Sequence, residues 1–333
     1  MSKTSKTRSI IAFTLSVIVI GAAVWLFFNR QYAIDQAMVW SYQPTASIEA
    51  LDEKVQFTNK GLFTFYATKP VVANSEEFNT KCPRQEAGSP ILGCYTPDDR
   101  IYVFDVTNEQ LEGMKEVTAA HEMLHAVWMR TSDSEKQRLG ELLDDAYEKN
   151  ATPELRERME YYKRTEPSAI TNELHSILGT EVADLGSELD TYYAQYFKNR
   201  QLVLDLHANY DTIYKDLNNR AQVLFQEMDT LSDSIQSRSA KYDTDVTQLS
   251  SDIGDFNRRA GSGDFDTIAQ FNRERAALVA RSSQLENERA AINADIASYD
   301  VFYQEYETIS SQIEVLNNSV DSFKALGETP TVE

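Results

Sequence analysis

The chain has 333 residues, 42% of them hydrophobic, and its 52 Asp and Glu against 32 Lys and Arg leave a net charge of −20. That length houses one or two domains, the apolar content is too high for a disordered chain, and so acidic a surface repels phosphate backbones and excludes a nucleic-acid binder. Two cysteines and four histidines exclude a disulfide-dense scaffold and a four-thiolate zinc site.

In chain order, residues 1–8 carry Lys3, Lys6 and Arg8. Residues 9–28 (SIIAFTLSVIVIGAAVWLFF) are uncharged. As a helix they span roughly 30 Å, the thickness of a hydrocarbon core. A cleaved signal peptide is the competing reading. The stretch is longer than a usual signal core, and no small-x-small site follows it before Asn29. It is therefore expected to be an uncleaved transmembrane anchor. The basic residues before it place the N-terminus in the cytoplasm and everything after Phe28 outside. The expectation is a single-pass membrane protein with an extracytoplasmic domain. Cys82 and Cys94, close in sequence and outside the cytoplasm, are expected to form one disulfide.

Residues 29–45 form a juxtamembrane segment. Gly61 to Val72 (GLFTFYATKPVV) reads as a strand, and Arg100 to Val106 (RIYVFDV) alternates as a second. Asn108 is placed to cap the helix that follows, through VTAAHEMLHAVWMR. Ser132 to Lys149 reads as another helix, Thr152-Pro153 opens a third, and a fourth runs through AITNELHSILG to near Gly179. From Tyr210 an apolar stripe steps by three and four residues to Phe256, breaks at Gly261-Ser262-Gly263-Asp264, and resumes from Ile268 to Phe323. This spacing predicts an antiparallel coiled-coil hairpin over residues 201–326, with a tail at 327–333. Folding it about Ser262 brings Arg238 near Glu286. A stripe of this kind is core packing and carries no chemistry by itself.

His121-Glu122-Met123-Leu124-His125 is the informative feature. Histidines at i and i+4 lie on one helix face and can reach one metal ion, and neutral imidazole suits zinc. Glu122 is placed to reach a water in the open position. Zinc acidifies that water, the glutamate takes its proton, and the same ion polarises a peptide carbonyl. Two incidental histidines on a buried helix are the bland alternative.

With its uncharged flanks, Thr118 through Val127 resembles the signature of the zincin metallopeptidases. Trp128 and Thr131 stand where the metzincin branch has Gly and His, so that branch is excluded. Asn172-Glu173-Leu174-His175-Ser176 resembles the thermolysin-type N-E-x-x-S stretch of the gluzincins, although Ile177 replaces the Asp that usually follows. The resemblance implies Glu173 as the third metal ligand, with Glu181 and His175 as rivals. It also implies His175 as a donor to the developing oxyanion, against a packing role for the same ring, with Tyr192 and Tyr193 as alternative donors. His207 is expected on the surface. In zincins the edge strand beside the active helix binds substrate by β-augmentation, which here points to Arg100–Val106.

The expected fold is α+β: a mostly helical zincin-like catalytic domain over residues 46–200 with a small sheet, followed by the hairpin. The expected function is a membrane-anchored zinc metallopeptidase that acts on a peptide or protein substrate, with Glu122 as general base. The alternative is a non-catalytic membrane tether whose coiled coil recruits an envelope or surface protein partner. An intact Glu122 speaks against it.

Overall fold

The structure, a computed structural model, describes residues 3–83 and 91–324. The side chains of Lys3, Lys6 and Arg8, most of the turn expected between the cysteines, and the tail at 327–333 lie outside the described residues. The fold is mostly helical with one small sheet and a long pair of C-terminal helices.

The chain forms two compact units. The first comprises Met1–Ile213 with Leu316–Glu333. It opens with α1 (Lys3–Phe28) and α2 (Arg30–Ser41). Among the described residues no single helix is long and apolar enough to cross a membrane; Phe13–Phe28 and Arg30–Ser41 pass that test only together, across a bend of 89°. Helices α3 (Ala46–Val55) and α4 (Asn59–Ala67) follow, capped by Thr45 and Thr58.

The strand expected over 61–72 is mostly helix α4. Thr58 Oγ1 accepts from the Gly61 N–H at 3.1 Å. Gly61, Thr64, Phe65 and Ala67 then bury one helical face. Gly61 is also required by close approach, since a Cβ there would meet the Tyr196 carbonyl oxygen at 2.3 Å.

Strand β1 (Val71–Ala73), helix α5 (Ser75–Lys81), and strands β2 (Gly93–Thr96) and β3 (Arg100–Phe104) come next. The sheet order is β1-β3-β2. β3 pairs parallel with β1 (Val71 opposite Tyr102) and antiparallel with β2 (Cys94 opposite Tyr102). The strand expected to be the free edge, Arg100–Val106, is therefore the central one. Both its hydrogen-bonding edges are occupied, and β2 is the edge on that side. The Cys82–Cys94 disulfide is present and ties the end of α5 to β2.

Asn108 caps a short 3-10 turn, Glu109–Leu111, rather than the long helix itself. Helix α6 (Met114–Arg130) starts after Gly113, whose φ of 96° is open to glycine at no steric cost. Thirteen of its residues are buried, from Met114 to Trp128, so the helix is the core element of this unit. Helices α7 (Asp133–Asn150), α8 (Pro153–Thr165) and α9 (Ile170–Glu181) begin where the caps Ser132 and Thr152-Pro153 place the first two. α9 runs two residues past the expected stop at Gly179. Helix α10 (Ser187–Tyr193) completes the core with Tyr192 and Tyr193. The end of the chain returns here: Asn79 Nδ2 donates to the Ser322 carbonyl at 3.1 Å, and Asn108 Nδ2 to Ser319 Oγ at 3.0 Å.

The second unit, Tyr214–Val315, is built from α11 (Arg200–Ser262) and α12 (Ile268–Val320). The first turns of α11 belong to the first unit. The break falls where expected, with Gly263 at φ 76°. The rings of Phe256, Phe265 and Phe271 pack together beside it. Leu224, Met228, Leu249, Ile292 and Ile309 are buried along the pair. Arg238 does not meet Glu286. It binds Glu288 at 2.7 Å and Asp295 at 2.5 Å, while Glu286 pairs with Arg289. The connection extends to Thr267 before α12 starts, which shifts the register from a fold made at Ser262.

Candidate metal centre

The site is assembled from α6, α9 and β2. Residues His121 and His125, one turn apart on α6, bring their Nε2 atoms to 3.1 Å. Glu173, in the first turn of α9, adds its carboxylate. Oε1 lies 3.4 Å from His125 Nε2 and Oε2 lies 3.7 Å from His121 Nε2. Ligand bonds of about 2.0–2.1 Å at tetrahedral angles place donors about 3.3 Å apart, so these three groups fit one small divalent ion. Glu122 also contributes an oxygen to this cluster, the candidate atoms of His121, Glu122 and His125 lying within 4.8 Å of one another.

Each of these groups is positioned by the fold. The Nδ1 of His125 lies 3.2 Å from Ser176 Oγ, the last residue of the N-E-x-x-S stretch. A hydrogen bond there fixes the ring and leaves Nε2 to face the cluster. Glu173 is 8% exposed. Burial alone would raise its carboxyl, but the imidazoles of His125 and His121, with Arg158 beyond them, hold it below its ordinary value.

The Glu122 carboxylate also lies against the backbone of β2. The residue is 6% exposed. A Cβ on Gly93 would stand 2.7 Å from Glu122 Oε1, so the absence of a side chain at Gly93 makes room for the carboxylate. Burial pushes the Glu122 carboxyl up to about 7, His125 and the N–H of Tyr95 acting against the shift and Glu173 with it. A carboxylate poised near neutrality in a cleft suits proton transfer.

The cleft holds about 400 Å³. Its walls are β2 (Gly93 to Thr96), the disulfide, the two histidines with Glu122 and Glu173, and Tyr162, Glu166 and Asn172. Burial holds the Tyr162 phenol far above its ordinary range, so it remains a proton donor. Asn172 Oδ1 is buried with no hydrogen-bond partner among the described residues. Burial, then Glu173, raises the Glu166 carboxyl.

The remaining candidates from the sequence are held elsewhere. His175 is fully buried and does not line the cleft. Its Nε2 meets Tyr192 Oη at 3.0 Å, its ring packs on Trp128 and Tyr193, and Tyr193 Oη donates to its carbonyl at 2.7 Å. Burial, reinforced by His125 and His121, pushes its imidazole down to about 3. A neutral ring packed in this way holds α9 against α10. Glu181, the rival ligand, is bound by Arg158 at 2.5 Å and by His207 Nε2 at 3.4 Å. His207 is thus partly covered rather than a free surface residue. Sequence reasoning missed Tyr162, Gly93 and the role of β2. The Pro97-Asp98-Asp99 turn between Gly93–Thr96 and Arg100–Phe104 is a hairpin signal that marks β2.

Compared with protein-family models, curated proteins and solved structures, this chain matches none.

Proposed function

We propose that this chain is a membrane-anchored, zinc-dependent peptidase of the zincin type. The observation that carries the reading is the convergence of His121, His125 and Glu173 at tetrahedral-edge distances with Glu122 beside them. Two imidazoles and a carboxylate, three protein ligands with one position left open, are the donor set of a catalytic rather than a structural zinc site. When bound there, the ion supplies a Lewis acid for a carbonyl and lowers the pKa of water.

The chain's own residues divide the remaining work. Glu122 takes the proton of the attacking water and returns it to the leaving amine. Tyr162, protonated and lining the same cleft, donates to the oxygen of the attacked carbonyl. This is the role that the sequence weighed for His175 against a packing role. Among the described residues β2 pairs only with β3 and lines the cleft, and an extended peptide adds along its other edge as a further antiparallel strand.

The anchor reading is supported by α1, whose large apolar side chains from Phe13 to Phe28 are exposed. Leaving so many apolar groups to water is unfavourable, and a hydrocarbon core removes that cost. The intact disulfide accords with an extracytoplasmic domain. The pair α11 and α12 is read as a coiled-coil hairpin, ion-paired at Arg238, Arg259 and Arg281, that engages a protein partner.

The test uses the full chain in detergent with a peptide library. Wild type and Glu122→Gln are compared for zinc content and cleavage. Both are expected to hold zinc, and cleavage by the variant falls by roughly 10²–10⁴-fold. Equal cleavage by both rules out the general base. Zinc in both with cleavage by neither favours the tether.

A further inference from the structure

We propose that Glu166 selects the substrate of the candidate cleft. Its carboxylate receives a lysine or arginine side chain within about two residues of the cleaved bond, which directs the chain at basic peptide segments. The inference rests on the reading of the cleft as a peptidase site and names the substrate class of that site.

Glu166 follows α8 directly and opens the corner that leads to α9. Its N–H donates to the Tyr162 carbonyl at 2.7 Å, and its own carbonyl accepts from the Ala169 N–H at 2.9 Å. Pro167, the next residue, has a fixed φ. The half-buried Glu166 is therefore carried by a defined turn. Tyr162 and Ala169 line the cleft with it, so the corner as a whole forms part of the wall.

Electrostatics locate the carboxylate near the reacting groups. Glu166 raises the Glu122 carboxyl, and Glu166 is itself acted on by Glu173 and His125. A charge in open solvent loses such influence over about 8 Å. A peptide strand advances about 3.3 Å per residue, so side chains close to the attacked carbonyl are the ones within reach of Glu166.

This carboxylate has no cation of its own. Among the described residues its side chain makes no hydrogen bond or ion pair. The basic side chains of α8 are engaged elsewhere: Arg158 by Glu181, Lys163 by Glu160, and Arg156 and Arg164 over tyrosine rings. Lys81, which lines the cleft, acts on Asp98. A negative group held partly out of water beside another is unfavourable until a positive one joins it.

The charge of the cleft gives the same answer. With Lys81 set against Asp98, the described lining leaves three carboxylates, Glu122, Glu166 and Glu173. Between neutral histidines, a divalent ion balances Glu173 and the adjacent Glu122. Glu166 is the remainder, and one basic side chain neutralises it. An acidic side chain in the same place meets like charge. The net charge of −20 also draws basic segments towards the chain from a distance.

The test uses the full chain in detergent, loaded with zinc, and peptides blocked at both ends so that a side chain is the only cation. Lysine, norleucine and glutamate are exchanged at the positions flanking each cleaved bond. At one of them lysine is expected to raise kcat/KM over norleucine by about tenfold or more, with glutamate lowest. Glu166→Gln brings the lysine-to-norleucine ratio to within about twofold of one, and Glu166→Lys places glutamate above lysine. Binding of the same peptides to Glu122→Gln, with and without Glu166→Gln, follows the same order by fluorescence anisotropy. Should Glu166→Gln not fold, the wild-type preference is read in salt, where it falls severalfold between about 0.05 and 0.5 M; a constant preference overturns the proposal. Cleavage without a lysine preference, or a preference that survives Glu166→Gln, overturns it and leaves the peptidase reading standing. Lysine peptides bound through Glu166 with none cleaved uphold the assignment of Glu166 and overturn the peptidase reading. Neither cleavage nor binding through Glu166 overturns both.

Discussion

Ser176 Oγ stands 3.2 Å from His125 Nδ1, the ring nitrogen turned away from Glu173. The hydroxyl sits one turn along α9 from Glu173, so one helix delivers both the carboxylate that faces the two imidazoles and the hydroxyl beside one of them. Removing the hydroxyl leaves every ligand in place but frees the ring. Ser176→Ala is expected to weaken zinc binding by about 10–100-fold. Competition with a chelator of known affinity measures it; unchanged affinity contradicts the positioning role.

Gly93 is the second predicted point of sensitivity. An added Cβ would stand 2.5 Å from Thr118 Cγ2 and 2.7 Å from Glu122 Oε1. The carboxylate must then move from its place against β2, whereas the nearest atoms such a Cβ would meet belong to Thr118 and Glu122 and not to His121, His125 or Glu173. Gly93→Ala is expected to retain zinc and to lose turnover on the order of 10²-fold, the cost of a misplaced reacting group. Measured kcat and metal content separate the two effects. A variant with wild-type kcat contradicts the placement of Glu122.

Glu181 sets a dependence on acid. Burial would raise its carboxyl, but the hydrogen bond from His207 and the Arg158 guanidinium hold it at about 2. Its unfolded value is near that of an ordinary glutamate, about 4.3. A folded pKa below the unfolded one means that the contribution is complete above about pH 4.5 and is lost as pH falls towards 2. Glu181→Gln is expected to cost on the order of 2 kcal/mol at neutral pH, and the difference from wild type to shrink between about pH 4.5 and 2. Urea unfolding across that range measures it. A difference that stays constant with pH contradicts the assignment.

Much of the site was legible in the sequence because helical periodicity is strict. His121 and His125 had to share a face of α6 once that segment was helical. Glu173 followed from a resemblance, and its carboxylate does lie against both imidazoles. The misses have specific causes. Gly61 to Phe65 alternates like a strand, yet Thr58 caps a helix and the buried face has helical spacing. β2 has only four residues, too few to show alternation. Tyr162 enters the cleft through the packing of α8 on α9, a relationship between helices that no local pattern records. The partner of Arg238 depended on the length of the connection before Ile268, and a shift of a few residues changes every pair along the two helices.

The central claim is that His121, His125 and Glu173 hold one divalent ion between them. Elemental analysis of the full chain, purified without chelator and then exposed to excess zinc and desalted, tests it most directly. The account predicts about one zinc per chain in wild type, with His121→Ala and Glu173→Ala losing most of it while keeping their helical circular dichroism. A folded wild-type chain that retains no zinc, or folded variants that retain as much as wild type, contradicts it.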